Sequence, residues 1–247
     1  MSGVGLAVVS GGGTGIGAAI ASALVDDGHD VVIVGRRAEV LTATAASLAS
    51  RAGRAQAVRS VAADLSQPDE VARAVAEIGA EPVEVLVNNA GAFQSRTGDS
   101  LSEVDAYWRA SVDANLMTAV LLTEALLPQL ARPGGTLLFI SSIAAQRGGG
   151  GAYSATKAAL HGWTYDLAME LGPAGITVNV VSPGYIEGTD FFAGRMTPEG
   201  HAARVARTMV GRAGAPEEIA EAVRYLTRAR YVTGQVIGVN GGAVLGR

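Results

Sequence analysis

Tyr153 and Lys157 are the two side chains with the most chemistry to offer. They stand in Gly151-Ala-Tyr-Ser-Ala-Thr-Lys-Ala-Ala-Leu160, four residues apart. On a helix that spacing puts them on one face. Lys157 is the only lysine of the chain, and the other eighteen cationic side chains are arginine. An ammonium beside a phenol favours the phenolate and lowers a pKa that starts near ~10. A planar guanidinium could supply the charge but not the compact three-donor head. One lysine kept here, in a chain that otherwise uses arginine, points to a need for the ammonium.

The elements that must position this pair follow from the apolar pattern. Residues 4–10 form a short apolar run rich in valine, as expected of a strand buried on both faces. Ser10-Gly-Gly-Gly-Thr-Gly-Ile-Gly17 follows, then an alanine-rich helix to about residue 28. Strand, glycine loop and helix together place backbone N–H groups against a pyrophosphate. The second strand, 31–34, ends in Gly35-Arg36-Arg37, where a dinucleotide fold that binds an unphosphorylated ribose has an acid. A missing carboxylate and an available guanidinium favour a 2′-phosphate, so NADP(H) is expected and NAD(H) remains possible. Arg36 carries most of that expectation.

Further strands are expected at 56–62, 83–87, 135–140, 176–181 and 235–239, with helices between them. This alternation makes βαβ units and a parallel sheet. Asn88-Asn89-Ala90-Gly91 and Ser141-Ser142 fall at strand C-terminal ends, where such sheets bind ligands. Residues 101–130 read as a helix in two segments. Asn115 lies in its apolar part, either exposed or pointing into a polar site. Residues 185–211 have no clear period but carry Phe191, Phe192, Met196 and Met209, which suggests a lid over an apolar pocket. One domain, 1–247, is expected.

Composition narrows the function. Of 247 residues, 49% are hydrophobic and 17% charged, enough for a large core, and the net charge of -4 without a basic block argues against nucleic-acid binding. There is no cysteine, which excludes thiolate catalysis and disulfides. His29, His161 and His201 are scattered, so no metal site is expected. No basic leader precedes the first strand and no apolar run reaches the ~18 residues a membrane helix needs, so a cytoplasmic address and no membrane partner are expected.

Taken together, Ser10-Gly-x-x-x-Gly-Ile-Gly17, Asn88-Asn-Ala-Gly91, Tyr153-x-x-x-Lys157 and Pro183-Gly184 resemble the short-chain dehydrogenase/reductase superfamily along essentially the whole chain. The 3-oxoacyl-acyl-carrier-protein reductase-like members are the most similar subgroup. The resemblance implies an α/β fold: a Rossmann-type, doubly wound sheet of seven parallel strands with helices on both faces. It implies a catalytic tetrad of Asn115, Ser142, Tyr153 and Lys157. Cofactor contacts are implied for Ser10, Gly11, Thr14, Gly15, Ile16, Gly17, Arg36, Arg37, Asp64, Leu65, Asn89, Ala90, Gly91, Tyr153, Lys157, Pro183, Gly184, Ile186 and Thr189. Tyr153 would pass a proton to a carbonyl oxygen as the nicotinamide delivers hydride, with Lys157 lowering its pKa, Ser142 binding the oxygen and Asn115 anchoring a water. The chain departs from the pattern where Ser142 and Tyr153 are only 11 residues apart, which leaves Ser141 as a competitor, and where Gly188 delays Thr189. The implied activity is NADP(H)-dependent reduction of a ketone or 3-oxoacyl carbonyl on a small, apolar substrate. The alternatives are an alcohol, sugar or steroid dehydrogenase working oxidatively, or a cofactor-binding protein without turnover. A homotetramer or homodimer is implied, built on the helices around 101–130 and 153–172.

Overall fold

The computed structural model describes residues 5–192 and 196–245, with the Phe192 side chain left out of that description. Val4 of the expected first strand and residues 193–195 of the expected lid lie outside the described residues.

Seven strands form one parallel sheet in the order β3-β2-β1-β4-β5-β6-β7. They are β1 Leu6–Ser10, β2 Asp30–Gly35, β3 Val58–Ala62, β4 Val83–Asn88, β5 Thr136–Ile140, β6 Thr177–Pro183 and β7 Val236–Val239. The central strands are buried on both faces, which is why they read as unbroken apolar runs. Alternate residues serve opposite layers. Val8, Val34, Leu86, Leu137 and Phe139 face one core, with Ile78, Leu122, Leu126 and Leu160. Val9, Ile33, Val87, Leu138 and Ile140 face the other, with Ile20, Leu24, Leu41, Ile219 and Val223.

The helices that cover these layers are α1 Gly15–Asp26, α2 Ala38–Arg51, α3 Pro68–Ile78, α4 Leu101–Val112, α5 Thr118–Leu126, α6 Ala144–Arg147, α7 Ala152–Leu171, α8 Pro198–Val205 and α9 Pro216–Arg228. Asp27 fixes α1 against α9, its carboxylate gripped by Arg224 and Arg228. Hydrogen bonding to Arg224 holds that carboxyl below its usual range.

The structure amends three expectations. The helical run Leu101–Gln129 is long and apolar enough by composition to cross a membrane. In this fold its Leu122 and Leu126 pack on the sheet, while Asp105, Arg109 and Glu124 are exposed. The expected lid is not irregular throughout. It contains a short 3₁₀ turn, Asp190–Phe192, and the helix α8, whose start is capped by Thr197 accepting from the Gly200 N–H at 3.0 Å. The break between α4 and α5 is a π-helical turn, Asp113–Met117, so the helix continues with one wider turn.

Candidate active site

Strand order reverses between β1 and β4, and doubly wound sheets bind ligands at that crevice. The reversal is tied together by Ser10, whose hydroxyl accepts from the Asn89 and Ala90 N–H groups at 2.9 Å each. Asn89 answers by donating its amide to the Ser10 and Gly11 carbonyls at 3.0 and 3.2 Å. Ser10 is thus buried behind the glycine loop and does not line the cleft, a correction to its expected cofactor contact. Gly17 is obligatory at this crossing. A Cβ there would stand 2.1 Å from the Gly11 carbonyl oxygen. Gly17→Ala is therefore expected to displace the loop and abolish nucleotide binding by fluorescence titration, while the sheet keeps its circular dichroism signal.

The cleft has a volume of about 670 Å³. Every other expected cofactor residue lines it, from Gly11, Thr14, Gly15, Ile16 and Gly17 through Arg36, Arg37, Asp64, Leu65, Asn89, Ala90 and Gly91 to Pro183, Gly184, Ile186 and Thr189. Thr189 reaches the loop despite the extra residue before it and packs against Gly15. The two arginines differ. Arg37 is engaged with Asp190 at 3.1 Å and Thr14 at 3.2 Å. Arg36 makes no hydrogen bond or ion pair among the described residues, and its charge helps hold Asp64 ionised, after the Ser66 N–H and hydroxyl. A side-chain-free glycine cradle, an open guanidinium beyond β2 and a cleft of this size together fit a phosphorylated dinucleotide.

At the other end of the cleft stand Ser142, Tyr153 and Lys157. The first turn of α7 is set by Tyr107, whose hydroxyl accepts from the Ala152 N–H at 3.0 Å. Burial pushes the Tyr153 hydroxyl up to about 12, and its interaction with the Ser142 side chain opposes that rise. Lys157 is buried, donates from Nζ to the Ile140 carbonyl at 2.9 Å and lies 5.9 Å from the Tyr153 ring centroid. Burial pulls its pKa down to about 8. Burial of the phenol thus acts against the lowering expected from the Tyr/Lys pair.

The two serines separate clearly. Ser141 is buried with its hydroxyl bonded to the Lys157 carbonyl at 3.0 Å and to His161 Nε2 at 2.8 Å. Ser142 accepts from the Ala144 N–H at 3.1 Å and is the one that meets Tyr153. Asn115 is neither exposed nor part of the cleft wall. The π turn directs it inward, where it accepts from the Ala92 N–H at 3.0 Å and donates to the Ala92 and Ser111 carbonyls at 2.8 and 3.1 Å. Its Oδ1 and the Lys157 ammonium both close on Gly91, where a Cβ would lie 2.8 and 3.1 Å from them.

Phe93 and Asp190, which sequence reasoning did not single out, also line the cleft. The Tyr153 ring packs against Phe93 at 6.0 Å and Phe191 at 5.4 Å. Phe191 thus sits where an apolar lid was expected. Met196 and Met209 do not line the cleft, and Met209 turns to Gly241 and Gly242.

Comparison with known proteins agrees with this geometry. A family model described as Enoyl-(Acyl carrier protein) reductase matches residues 11–244. An uncharacterized oxidoreductase of Methylorubrum extorquens is 40% identical over 96% of each chain. An acetoacetyl-CoA reductase of Allochromatium vinosum is 35% identical over 96% of this chain and 97% of its own. The crystal structure of a blue fluorescent protein from a metagenomic library in complex with NADPH superposes with a TM-score of 0.85 at 34% identity, over 97% of this chain and 98% of that one. With the glycine loop, the Tyr153/Lys157 helix and matches of this extent, the chain belongs to the short-chain dehydrogenase/reductase family.

Proposed function

We propose that this protein is an NADPH-dependent carbonyl reductase, with Tyr153 as the proton donor. The observation that carries the reading is the burial of the Tyr153 phenol, which pushes its pKa up to about 12. A phenol held that high stays protonated throughout the physiological range, the state in which a proton donor must meet a carbonyl oxygen. Two hydroxyls, those of Ser142 and Tyr153, meet at one end of the cleft and suit the two lone pairs of a carbonyl oxygen.

Each residue then has a physical task. Tyr153 gives its proton to the developing oxyanion, and Ser142 steadies that charge by hydrogen bonding. Lys157, pinned by Ile140, keeps a positive charge beside the tyrosine and offsets the phenolate left behind. Asn115 fixes the Ala92 backbone and so the wall beside Lys157, a positioning task in place of a wall contact. Phe93 and Phe191 exclude water around the phenol, which supports an apolar substrate next to the reacting carbon. A bound nicotinamide would supply the hydride. The glycine loop would hold its pyrophosphate and Arg36 a 2′-phosphate. Complexes of similar proteins with NADPH and the acetoacetyl-CoA reductase relative support the cofactor and the carbonyl chemistry. Exposed Leu101 and Trp108 on α4, with Tyr165 and Met169 on α7, support self-association through these helices.

Arg36→Ala is expected to weaken NADPH binding by about 10- to 100-fold and leave NADH unchanged, since one charged bidentate contact is lost. Fluorescence titration of both cofactors checks this. Equal loss for both would remove the 2′-phosphate role. The reaction itself is tested by following NADPH consumption with 3-oxoacyl thioesters, ketosteroids, quinones and simple ketones, beside an enoyl thioester. Faster consumption with the enoyl thioester than with any ketone would overturn carbonyl reduction.

A further inference from the structure

Among the sixteen arginines in the described residues, only Arg36, Arg147 and Arg207 have a guanidinium that makes no hydrogen bond or ion pair. The others are taken up by carboxylates or carbonyls, as in Arg51 with Asp26, Arg212 with Glu218 and Arg230 with the Gly134 carbonyl. An unpartnered guanidinium in a chain that pairs nearly all of them is where an outside anion is expected. Arg36 stands at the adenosine end of the cleft. Arg147 and Arg207 stand within range of each other's charge, outside the cleft wall and beyond the Ser142 end.

Their placement follows from two ties to one stretch of chain. Helix α6, which Arg147 ends, begins two residues after Ser142. Its Gln146 accepts from the Ser182 hydroxyl at 3.4 Å, and the Ile143 N–H donates to the Pro183 carbonyl at 3.0 Å. Helix α8 is tied to Tyr185, just beyond. The Tyr185 hydroxyl bonds His201 Nδ1 at 2.9 Å, and the Arg204 guanidinium lies 5.9 Å from the Tyr185 ring centroid. Arg207 follows one turn after Arg204. Both helices thus flank residues 182–185, and Pro183 and Gly184 of that stretch line the cleft. Burial and then the charges of Arg207 and Arg204 lower the Arg147 pKa, and no carboxylate offsets them.

We propose that Arg147 and Arg207, with Arg204 beside them, form a subsite for an anionic group, a phosphate or carboxylate, that the substrate carries away from its reacting carbonyl. The inference rests on the carbonyl-reductase reading and narrows its substrate class: an apolar segment around the ketone, against Phe93 and Phe191, and a negative charge beyond it.

The test uses two matched pairs at saturating NADPH and low salt: acetoacetyl-CoA against its neutral N-acetylcysteamine thioester, and 4-oxopentanoate against its methyl ester. In at least one pair the anionic member should have about fivefold or greater kcat/KM, as expected for one exposed charge pair or more. A preference confined to the first pair assigns phosphate, and one confined to the second assigns carboxylate. Arg147→Gln and Arg207→Gln should each erase most of that advantage through KM, leave the neutral member unchanged and flatten the salt dependence. Equal use of both members in both pairs, or equal losses on neutral substrates, overturns the subsite. Calorimetric binding of coenzyme A and of 4-oxopentanoate to the NADPH-loaded protein separates the two readings. Binding that the variants lose, without any turnover, keeps the subsite and sinks the reductase. Turnover without anion preference does the reverse.

Discussion

Tyr153→Phe is expected to lower ketone reduction by about 10²- to 10⁴-fold, the range of a positioned general acid. The substitution removes one oxygen and keeps the ring. The contacts to Phe93 and Phe191, which bury that ring, should therefore survive. Cofactor affinity should stay within a few-fold, because the glycine loop and Arg36 are remote from the change. The loss should fall on kcat and not on NADPH binding. It should exceed that of Ser142→Ala, which removes one of two hydroxyls and leaves the proton donor. Steady-state kinetics with NADPH titration by fluorescence checks all three points. Turnover within threefold of the parent would assign the proton to another group.

Lys157→Met is expected to destroy activity and raise stability together. Burial moves the ammonium from its ordinary 10.5 to about 8, a difference worth about 3 kcal/mol against the folded state at neutral pH. The sign follows from proton counts. Between pH 8 and 10.5 the unfolded chain binds the proton and the folded one does not, so stability rises with pH across that window. Below pH 8 the full penalty is present. Methionine has similar length and no charge, so it removes the penalty and loses one hydrogen bond to Ile140. A melting temperature higher by a few degrees at pH 7 is expected, at about 2–4 °C per kcal/mol for a chain of this size. The parent's rise in stability above pH 8 should be absent in the variant. Reduction by the parent should decline above pH 8 as Lys157 loses its charge. A lower melting temperature for Lys157→Met at pH 7 would contradict the strained-ammonium account.

Much of this architecture is legible in the sequence, because parallel strands buried on both faces leave unbroken apolar runs. Six of the seven strands appear where such runs end in glycine, asparagine or serine, and β3, interrupted by Arg59 and Ser60, ends instead in Ala63-Asp64. Only their edges move, as in β3, which begins at Val58 and not at residue 56. The glycine loop is legible because Gly17 has a steric reason to be glycine. Asn115 is not legible, since helix propensity sees a misplaced polar residue and cannot see the π turn that rotates it inward. Spacing alone does not choose between Ser141 and Ser142. The choice comes from His161 and the Lys157 carbonyl, which occupy Ser141. Arg36 and Arg37 are adjacent and chemically equal on paper. A partner 153 residues away, Asp190, takes one of them. The pKa of Tyr153 depends on burial by Phe93 and Phe191, which no local spacing encodes. The Tyr153/Lys157 spacing places both side chains in one cleft, and it carries no information on the burial that pushes the phenol's pKa up.

The claim on which the rest depends is that Tyr153 is held as a protonated donor. A pH-difference ultraviolet titration of the parent against Tyr153→Phe isolates this phenol from the other five tyrosines. The account predicts no tyrosinate signal assignable to Tyr153 below pH 10, with titration at about 12. A tyrosinate that appears below pH 10 in the parent and vanishes in Tyr153→Phe would contradict it.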